Sequence, residues 1–153
     1  MSYQLKELTI RTNNTQEGMG KIQELWDHIM SGKLPILFDS EHIFLQGISL
    51  VSRYSNYDGD ENGDYDLSIL GVTSDFFQEM DKKADAGIYK KYEVSDDSKK
   101  VTECTRKAWE KVWKEQKNGD IHRVFTCDYE SSVPPEYAKD KKAHCYLYIA
   151  VHQ

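Results

Sequence analysis

The stretch Val101–Gly119, VTECTRKAWEKVWKEQKNG, carries the clearest structural pattern in the chain. Its apolar residues recur at intervals of three and four, which is the pattern of an amphipathic helix with one buried face. The apolar stripe consists of Val101, Cys104, Ala108, Trp109, Val112 and Trp113. An Asp-Asp-Ser run at 96–98 supplies helix-start residues, and Gly119 is a helix-end residue. We therefore predict a helix between these two signals, with its stripe in the core.

Strand-like segments lie on both sides of this helix. Gly87 opens one over residues 88–94, and two more follow the helix at 122–130 and 143–151. The last contains Tyr146–Val151, the stretch richest in β-branched and aromatic residues, which favour strands. The second half of the chain therefore has the predicted order strand, helix, strand, strand.

The first half repeats this layout without recognisable sequence identity. Residues 3–11 are strand-like, and an Asn-Asn-Thr run at 13–15 is a helix-cap signal. The helical stripe that follows consists of Met19, Ile22, Leu25, Trp26, Ile29 and Met30. Gly32 marks its end, and residues 36–46 favour no element.

Two alternating segments complete the first half, at 48–54 and 65–72, and the turn-rich run between them predicts a hairpin. A short helix is predicted over 74–85. The resulting fold class is α+β, with two strand–helix–strand–strand modules, antiparallel sheets and a central ligand pocket. A length of 153 residues suits a single domain, 1–153.

Charge and composition limit the classes of partner. Acidic residues outnumber basic ones by 26 to 20, and the longest basic run is Lys-Lys. Nucleic-acid binding, which needs a basic surface, is therefore not expected. No apolar run approaches the roughly 18 residues of a membrane span, and the N-terminal residues lack a signal core. We expect a cytoplasmic protein whose field favours cationic or neutral partners.

The cysteines and histidines give no pattern typical of a metal or redox site. Cys104, Cys127 and Cys145 are widely spaced, and we expect buried, reduced thiols. The run Asp58–Gly63 matches the first half of a calcium-binding loop, but Ile69 occupies the position where a bidentate Glu is needed. A solvated hairpin turn is the favoured interpretation, and we expect neither metal nor cofactor.

The segment Arg123–Ser132, RVFTCDYESS, is the most informative for chemistry. Strand alternation predicts Asp128 and Glu130 on one face and Arg123 on the other. Two carboxylates two residues apart at the end of a strand are typical either of a solvated strand end or of a binding site.

The order and spacing of several motifs resemble the GyrI-like effector-binding family, which comprises ligand-binding domains of multidrug-sensing bacterial transcription activators and free-standing proteins. The matching segments are Leu25-Trp26, Val51–Asp58, Gly63–Val72, Gly87–Tyr92, Trp109 with Trp113, Arg123–Ser132 and Leu147–Val151. The segment that contains Glu130 resembles the family's R-x-x-T-x-D-[FY]-E-x-Y strand. Ser132 stands where the family commonly has Tyr.

The resemblance implies an aromatic pocket in which Glu130 faces a lipophilic cation. A carboxylate in an apolar cleft is costly unless a cation pairs with it, and aromatic faces add about 0.5–2 kcal/mol each to that attraction. The candidate wall residues are Trp26, Tyr54, Tyr89, Trp109 and Tyr148. Aromatic residues on helix stripes, such as Trp26 and Trp109, are also suited to plain core packing.

Three functions follow from the resemblance. The favoured one is a small-molecule-binding module for drug sensing or sequestration, with a regulator protein as a further partner and a monomeric or homodimeric state. The second is hydrolysis of cyclopropane-containing genotoxic compounds, with Glu130 orienting water or acting as an acid. The third is interaction with DNA gyrase through the acidic surface.

Overall fold

The computed structural model describes residues 4–31, 49–59, 63–72, 74–96, 100–133 and 141–152. These residues form an α+β fold, as predicted. The elements are β1 (Gln4–Thr12), α1 (Gln16–Met30), β2 (Ser49–Ser55), β3 (Tyr65–Val72), α2 (Ser74–Asp85), β4 (Tyr89–Asp96), α3 (Val101–Asn118), β5 (Cys127–Val133) and β6 (Ala143–Ala150). The order strand, helix, strand, strand is confirmed for each half, with α2 between them. No helix in the described part of the chain is long and apolar enough to cross a membrane.

The chain divides into two compact units. The first unit comprises Met1–Gln78 and Phe125–Cys127, and the second comprises Glu79–Val124 and Asp128–Gln153. In the first unit, β3 lies between β1 and β2 and is antiparallel to both, which confirms the predicted β2–β3 hairpin. In the second unit, β6 lies between β4 and β5 and is again antiparallel to both.

The core of the first unit forms where α1 packs on β3. The buried cluster comprises Leu25, Ile29, Tyr65, Leu67 and Ile69. Thr15 caps α1 by accepting a hydrogen bond from the backbone N–H of Gly18, as the cap signal at 13–15 predicts. The helix ends at Met30, and Gly32 and residues 36–46 lie outside the described residues.

The core of the second unit forms where α3 packs on β4 and β6. The buried cluster comprises Tyr92, Cys104, Ala108, Val112, Ile121, Ala143, Cys145, Leu147 and Ile149. Each large aliphatic side chain buried here stabilises the fold by roughly 1.5–3 kcal/mol. Gly119 ends α3 with a φ of 81°, a left-handed conformation that glycine adopts without strain.

Helix α3 lies between the two predicted signals, but the assignment of Asp96 as a helix-start residue is wrong. This residue is the last of β4, and its buried carboxylate accepts a hydrogen bond from Lys107 of α3 at 2.6 Å. The helix instead follows Lys100, which makes no side-chain cap bond. The capping preference is a local property, whereas Asp96 is held by Lys107, which lies eleven residues further along the chain. Positions 97 and 98 lie outside the described residues.

The predicted strand at 122–130 is also wrong in its first half. Phe125 has a φ of 59°, and this left-handed conformation interrupts an extended chain. Upstream of it, Arg123 makes only an isolated bridge with Val151, and β5 begins at Cys127. The predicted strand over 122–130 therefore contains a break at Phe125, and its regular alternation of side chains holds only from Cys127 onward.

The acidic run between β2 and β3 closes as a turn. The backbone N–H of Asp58 donates to the carbonyl oxygen of Asp64 at 2.7 Å. A Cβ at Gly63 would clash with the carbonyl oxygen of Asp58, so the close approach requires glycine. Asp60 and Asn62, two residues of the calcium-loop match, lie outside the described residues. Among the residues that are described, no group of three or more His, Cys, Asp or Glu side chains could hold a metal ion.

Candidate functional site

The strands of the second unit present two different faces. Residues that pair across neighbouring strands share a face, and successive residues alternate between faces. Glu130 pairs with Leu147, whereas its neighbour Tyr129 pairs with Tyr148. Leu147 belongs to the core under α3, so we call this side the α3 face; it carries Asp128, Glu130, Ser132, Cys145 and Leu147. The opposite side, the tyrosine face, carries Tyr89, Lys91, Tyr129, Tyr146 and Tyr148.

Glu130 is held on the α3 face by an indole N–H. Trp109 Nε1–H donates to Glu130 Oε1 at 2.6 Å, and the carboxylate itself is half-buried. The second oxygen, Oε2, lies 3.5 Å from Ser132 Oγ, which is a long contact for a hydroxyl donor. The structure therefore brings together two of the predicted site residues, Glu130 and Trp109, and orients the carboxylate through one short bond.

A pair of hydroxyl groups continues from this carboxylate toward α3. Thr105 Oγ1 lies 2.7 Å from Ser132 Oγ and 2.9 Å from the carbonyl oxygen of Val101. Each hydroxyl has one proton to donate. Thr105 donates its proton to the carbonyl oxygen of Val101, so Ser132 must donate its own proton to Thr105. Ser132 then has no proton left for a hydrogen bond to Glu130. Sequence patterns contain no signal for this pair beyond the presence of Ser132 in place of the family's Tyr.

The thiols beside this site are protonated at neutral pH. Burial raises the pKa of Cys145 to about 12, and the charge of Glu130 acts in the same direction. Burial also raises the pKa of Cys104, whose thiol donates to the carbonyl oxygen of Val94 at 3.1 Å. The expectation of buried, free thiols is confirmed for these two, whereas Cys127 is only half-buried. The high pKa of Cys145 does not suit a nucleophile, which reacts as the thiolate.

A buried ion pair lies next to Glu130 on β5. Arg123 Nη2 and Asp128 Oδ2 are 2.8 Å apart, with 2% and 0% of their side chains exposed. Asp128 Oδ1 also accepts the backbone N–H of Ala150 at 2.9 Å. Asp128 and Glu130 share a face, as predicted. Asp128 is fully buried, so the interpretation of this segment as a solvated strand end is wrong for Asp128. Arg123 bonds to Asp128 rather than facing away, because the break at Phe125 precedes β5.

The tyrosine face carries a partly exposed charge network. Lys91 Nζ lies 2.9 Å from Asp81 of α2 and 3.1 Å from Glu93, and it sits 5.5 Å from the ring centre of Tyr148. The Tyr148 hydroxyl donates to Asp81 at 2.8 Å. Burial and this bond to a carboxylate raise the pKa of Tyr148 to about 12.

An open groove of about 650 Å³ adjoins this network. Its lining includes Asp81, Asp85, Tyr89 and Lys91. The ring of Tyr89 also contacts that of Tyr129, with centres 6.2 Å apart. Tyr89 and Tyr148, both predicted as wall residues, thus lie on the face opposite to Glu130.

The other two predicted wall residues, Trp26 and Tyr54, belong to the first unit. Both are half-buried against the cluster under α1, and the rings of Tyr54 and Tyr65 meet edge to face at 5.5 Å. Contact of a ligand with Trp26, Tyr54, Tyr89 or Tyr148 stays a prediction.

The sequence pattern misplaced one aromatic residue of α3. Trp113 belongs to the predicted buried stripe, but 44% of it is exposed. It stacks on Trp109 one helical turn away, with ring centres 6.0 Å apart and planes inclined by 30°. Arg123 lies 5.8 Å from the centre of the Trp109 ring. The spacing of four residues could have indicated this contact, but not the exposure of the outer ring.

No family model matches the sequence, and no curated protein matches it either. Solved structures do share the fold. An integron cassette protein from the mobile metagenome of Vibrio cholerae is 17% identical with a TM-score of 0.62, covering 97% of this chain and 93% of that one. The protein SAV2435, solved bound to tetraphenylphosphonium, is 14% identical with a TM-score of 0.57, covering 99% of this chain and 94% of that one. At these identities, the likeness concerns the fold.

Proposed function

We propose that this protein binds hydrophobic, cationic small molecules and that Glu130 supplies the opposite charge. The observation that carries this proposal is the 2.6 Å bond from Trp109 Nε1–H to the half-buried Glu130 carboxylate. A neutral donor orients the carboxylate and leaves its negative charge in place. The ring that donates the bond is also an apolar surface suited to a lipophilic ligand.

The position of the Glu130 carboxylate supports this role. It accepts a bond from the neutral indole of Trp109, and the hydroxyl of Ser132 lies 3.5 Å from its second oxygen. A cation bound beside this carboxylate would be attracted by its negative charge in a half-buried place, where water screens the attraction less.

The comparisons support the proposal at the level of the fold. SAV2435, which shares the fold, is described as bound to tetraphenylphosphonium, a lipophilic cation with four aromatic rings. The resemblance to the GyrI-like family points to the same class of ligand. The net charge of −6 favours the approach of cations. A sensing or sequestering role in the cytoplasm, with or without a regulator partner, is part of this proposal.

The hydrolase and gyrase-binding alternatives stay predictions from the resemblance. The raised pKa of Cys145 argues against a thiolate nucleophile beside Glu130. A hydrolytic role would require Glu130 to orient a water molecule or to donate a proton. Turnover of a cyclopropane-containing substrate by the protein tests that alternative directly.

The test uses two ligands of the same shape and opposite charge. Tetraphenylphosphonium and tetraphenylborate are titrated by calorimetry into the wild-type protein and into Glu130→Gln. We expect the cation to bind the wild type more tightly than the anion does. Glu130→Gln keeps an oxygen that can accept the Trp109 bond, and it should weaken cation binding about tenfold, or about 1.4 kcal/mol.

A matched variant controls for net charge. Glu110→Gln removes one negative charge from the exposed surface of α3, where Glu110 pairs with Arg106 at 2.8 Å. It should leave cation affinity within about twofold of the wild type, because exposed charges are screened. Equal binding of both ligands, or unchanged cation affinity in Glu130→Gln, would remove Glu130 from the recognition of charge.

A further inference from the structure

We infer that Trp113 is a specificity-determining residue and that the ligands bound best are elongated, with a cationic end and a flat aromatic end. This inference rests on the proposed function of Glu130. It concerns the shape of the ligand, which the position of a single carboxylate does not determine.

The first support is the continuity of the aromatic surface on α3. Trp109 bonds to Glu130 through its indole N–H, and Trp113 stacks on Trp109 at 6.0 Å between ring centres. Residues four apart lie one turn along the same side of a helix. The carboxylate and the two indoles therefore form a continuous strip, with the charge at one end and a ring at the other.

The second support is exposure. Trp109 is half-buried and packs against the core of the second unit, whereas 44% of Trp113 is exposed. A large apolar side chain left in water gains free energy when a flat apolar group covers it. Stacking of two aromatic rings adds to this gain. The outer ring is thus the part of the strip that a ligand can still cover.

The third support is the position of Glu130, which gives the ligand a direction. Glu130 bonds to Trp109, whereas Trp113 lies one turn further along α3. A ligand should therefore place its charged group beside Glu130 and an uncharged ring against Trp113.

The experiment compares two monocations that differ in shape. Trimethyl(2-naphthylmethyl)ammonium carries its charge at one end and an uncharged flat ring at the other, and tetraethylammonium is compact and has no ring. Both are titrated by calorimetry, since tryptophan fluorescence would change with the variants themselves. Trp113→Ala should weaken binding of the naphthyl cation about three- to tenfold and that of tetraethylammonium less than twofold. Trp113→Phe, which keeps a ring, should recover part of the loss.

Two variants separate this inference from the function on which it rests. Glu130→Gln should weaken both cations, because both need the charge. Ile88→Ala truncates another exposed apolar residue of the second unit, 45% exposed, and should change neither affinity. If Glu130→Gln weakens both ligands and Trp113→Ala weakens them equally or not at all, the inference fails and the proposed function stands. If Glu130→Gln has no effect on either ligand, the proposed function fails.

A second copy of the chain is the other occupant that an exposed indole could have. Sedimentation velocity of the wild type and Trp113→Ala distinguishes this case. We expect the same sedimentation coefficient for both. A smaller coefficient for the variant, with no discrimination between the two cations, would overturn the inference and assign Trp113 to a contact between copies.

Discussion

The α3 face and the tyrosine face of the second unit treat charge in different ways. On the tyrosine face, Lys91 lies between Asp81 and Glu93, so each charge has an opposite charge close by. On the α3 face, Asp128 has a cation of its own, whereas Glu130 two residues later is held by the indole of Trp109. The indole bond orients the Glu130 carboxylate beside an apolar ring, an arrangement that neither ion pair has. This arrangement is what makes Glu130 a candidate for ligand recognition.

The energetic consequences of the two arrangements also differ. Partly exposed ion pairs such as those of Lys91 contribute about 0–1 kcal/mol, since water and salt screen their carboxylates. A buried pair such as Arg123 with Asp128 is sensitive to the loss of either partner, because the remaining charge has no water to solvate it. The largest effects on stability should therefore come from the α3 face.

The strongest way to break this comparison is to neutralise Asp128. Asp128→Asn removes the charge that pairs with Arg123 at 2.8 Å and leaves a buried guanidinium. We expect the free energy of unfolding to fall by about 3–5 kcal/mol, measured by urea denaturation. Asp81→Asn, the matched change on the tyrosine face, should cost about 1 kcal/mol or less. Similar losses in the two variants would contradict the distinction between the faces.

The helices and most strands could be predicted from the sequence, because their determinants are local. The period of the apolar residues is read over a single element, and α2 was predicted with both of its bounds correct. The end of α3 at Gly119 follows from the left-handed conformation that glycine tolerates. Thr15 likewise caps α1 where the polar run predicts it.

The parts that could not be predicted depend on contacts between elements. Asp96 has the side chain of a helix cap, but Lys107 holds it in β4. Phe125 carries no local signal for its left-handed backbone, so the predicted strand starts earlier than β5 does. Trp113 lies on the apolar stripe, and its exposure depends on where the surrounding core ends.

The candidate site was predictable in part for the same reason. The bond between Trp109 and Glu130 joins two residues that the sequence had singled out. The face that each residue occupies depends on the pairing of strands, and a register is a property of two strands rather than of one. The sequence could therefore name Glu130 and Tyr148 without separating them onto opposite faces.

Titration at alkaline pH sharpens the comparison, since Cys145 on the α3 face and Tyr148 on the tyrosine face both have a raised pKa. Burial raises the pKa of Cys145 from 9.0 to about 12 and that of Tyr148 from 10.0 to about 12. A raised pKa in the folded state means that the unfolded chain loses its proton first. The stabilisation is therefore complete below the unfolded pKa and is lost as pH rises toward 12.

We expect the free energy of unfolding to decline above about pH 9, by an amount on the order of 4 kcal/mol for Cys145 and on the order of 2 kcal/mol for Tyr148 by pH 12. Cys145→Ala should flatten the decline from pH 9 onward, and Tyr148→Phe should flatten it only from pH 10. Urea denaturation at fixed pH steps measures both slopes. If the decline in Cys145→Ala is as steep as in the wild type, the Cys145 thiol ionises equally well in the folded and in the unfolded protein, which would contradict this prediction.

The smallest effect should come from the hydroxyl of Tyr148 at neutral pH, and it tests the separation of the faces most directly. Tyr148→Phe removes the 2.8 Å bond to Asp81 and keeps the ring, so it should cost about 1 kcal/mol of stability. Because Tyr148 pairs with Tyr129 rather than with Glu130, a ligand in contact with the Glu130 carboxylate lies across the strands from its hydroxyl. The affinity for tetraphenylphosphonium should therefore stay within twofold of the wild type. A loss as large as that in Glu130→Gln would mean that the cation binds on the tyrosine face, and the roles assigned to the two faces would have to be exchanged.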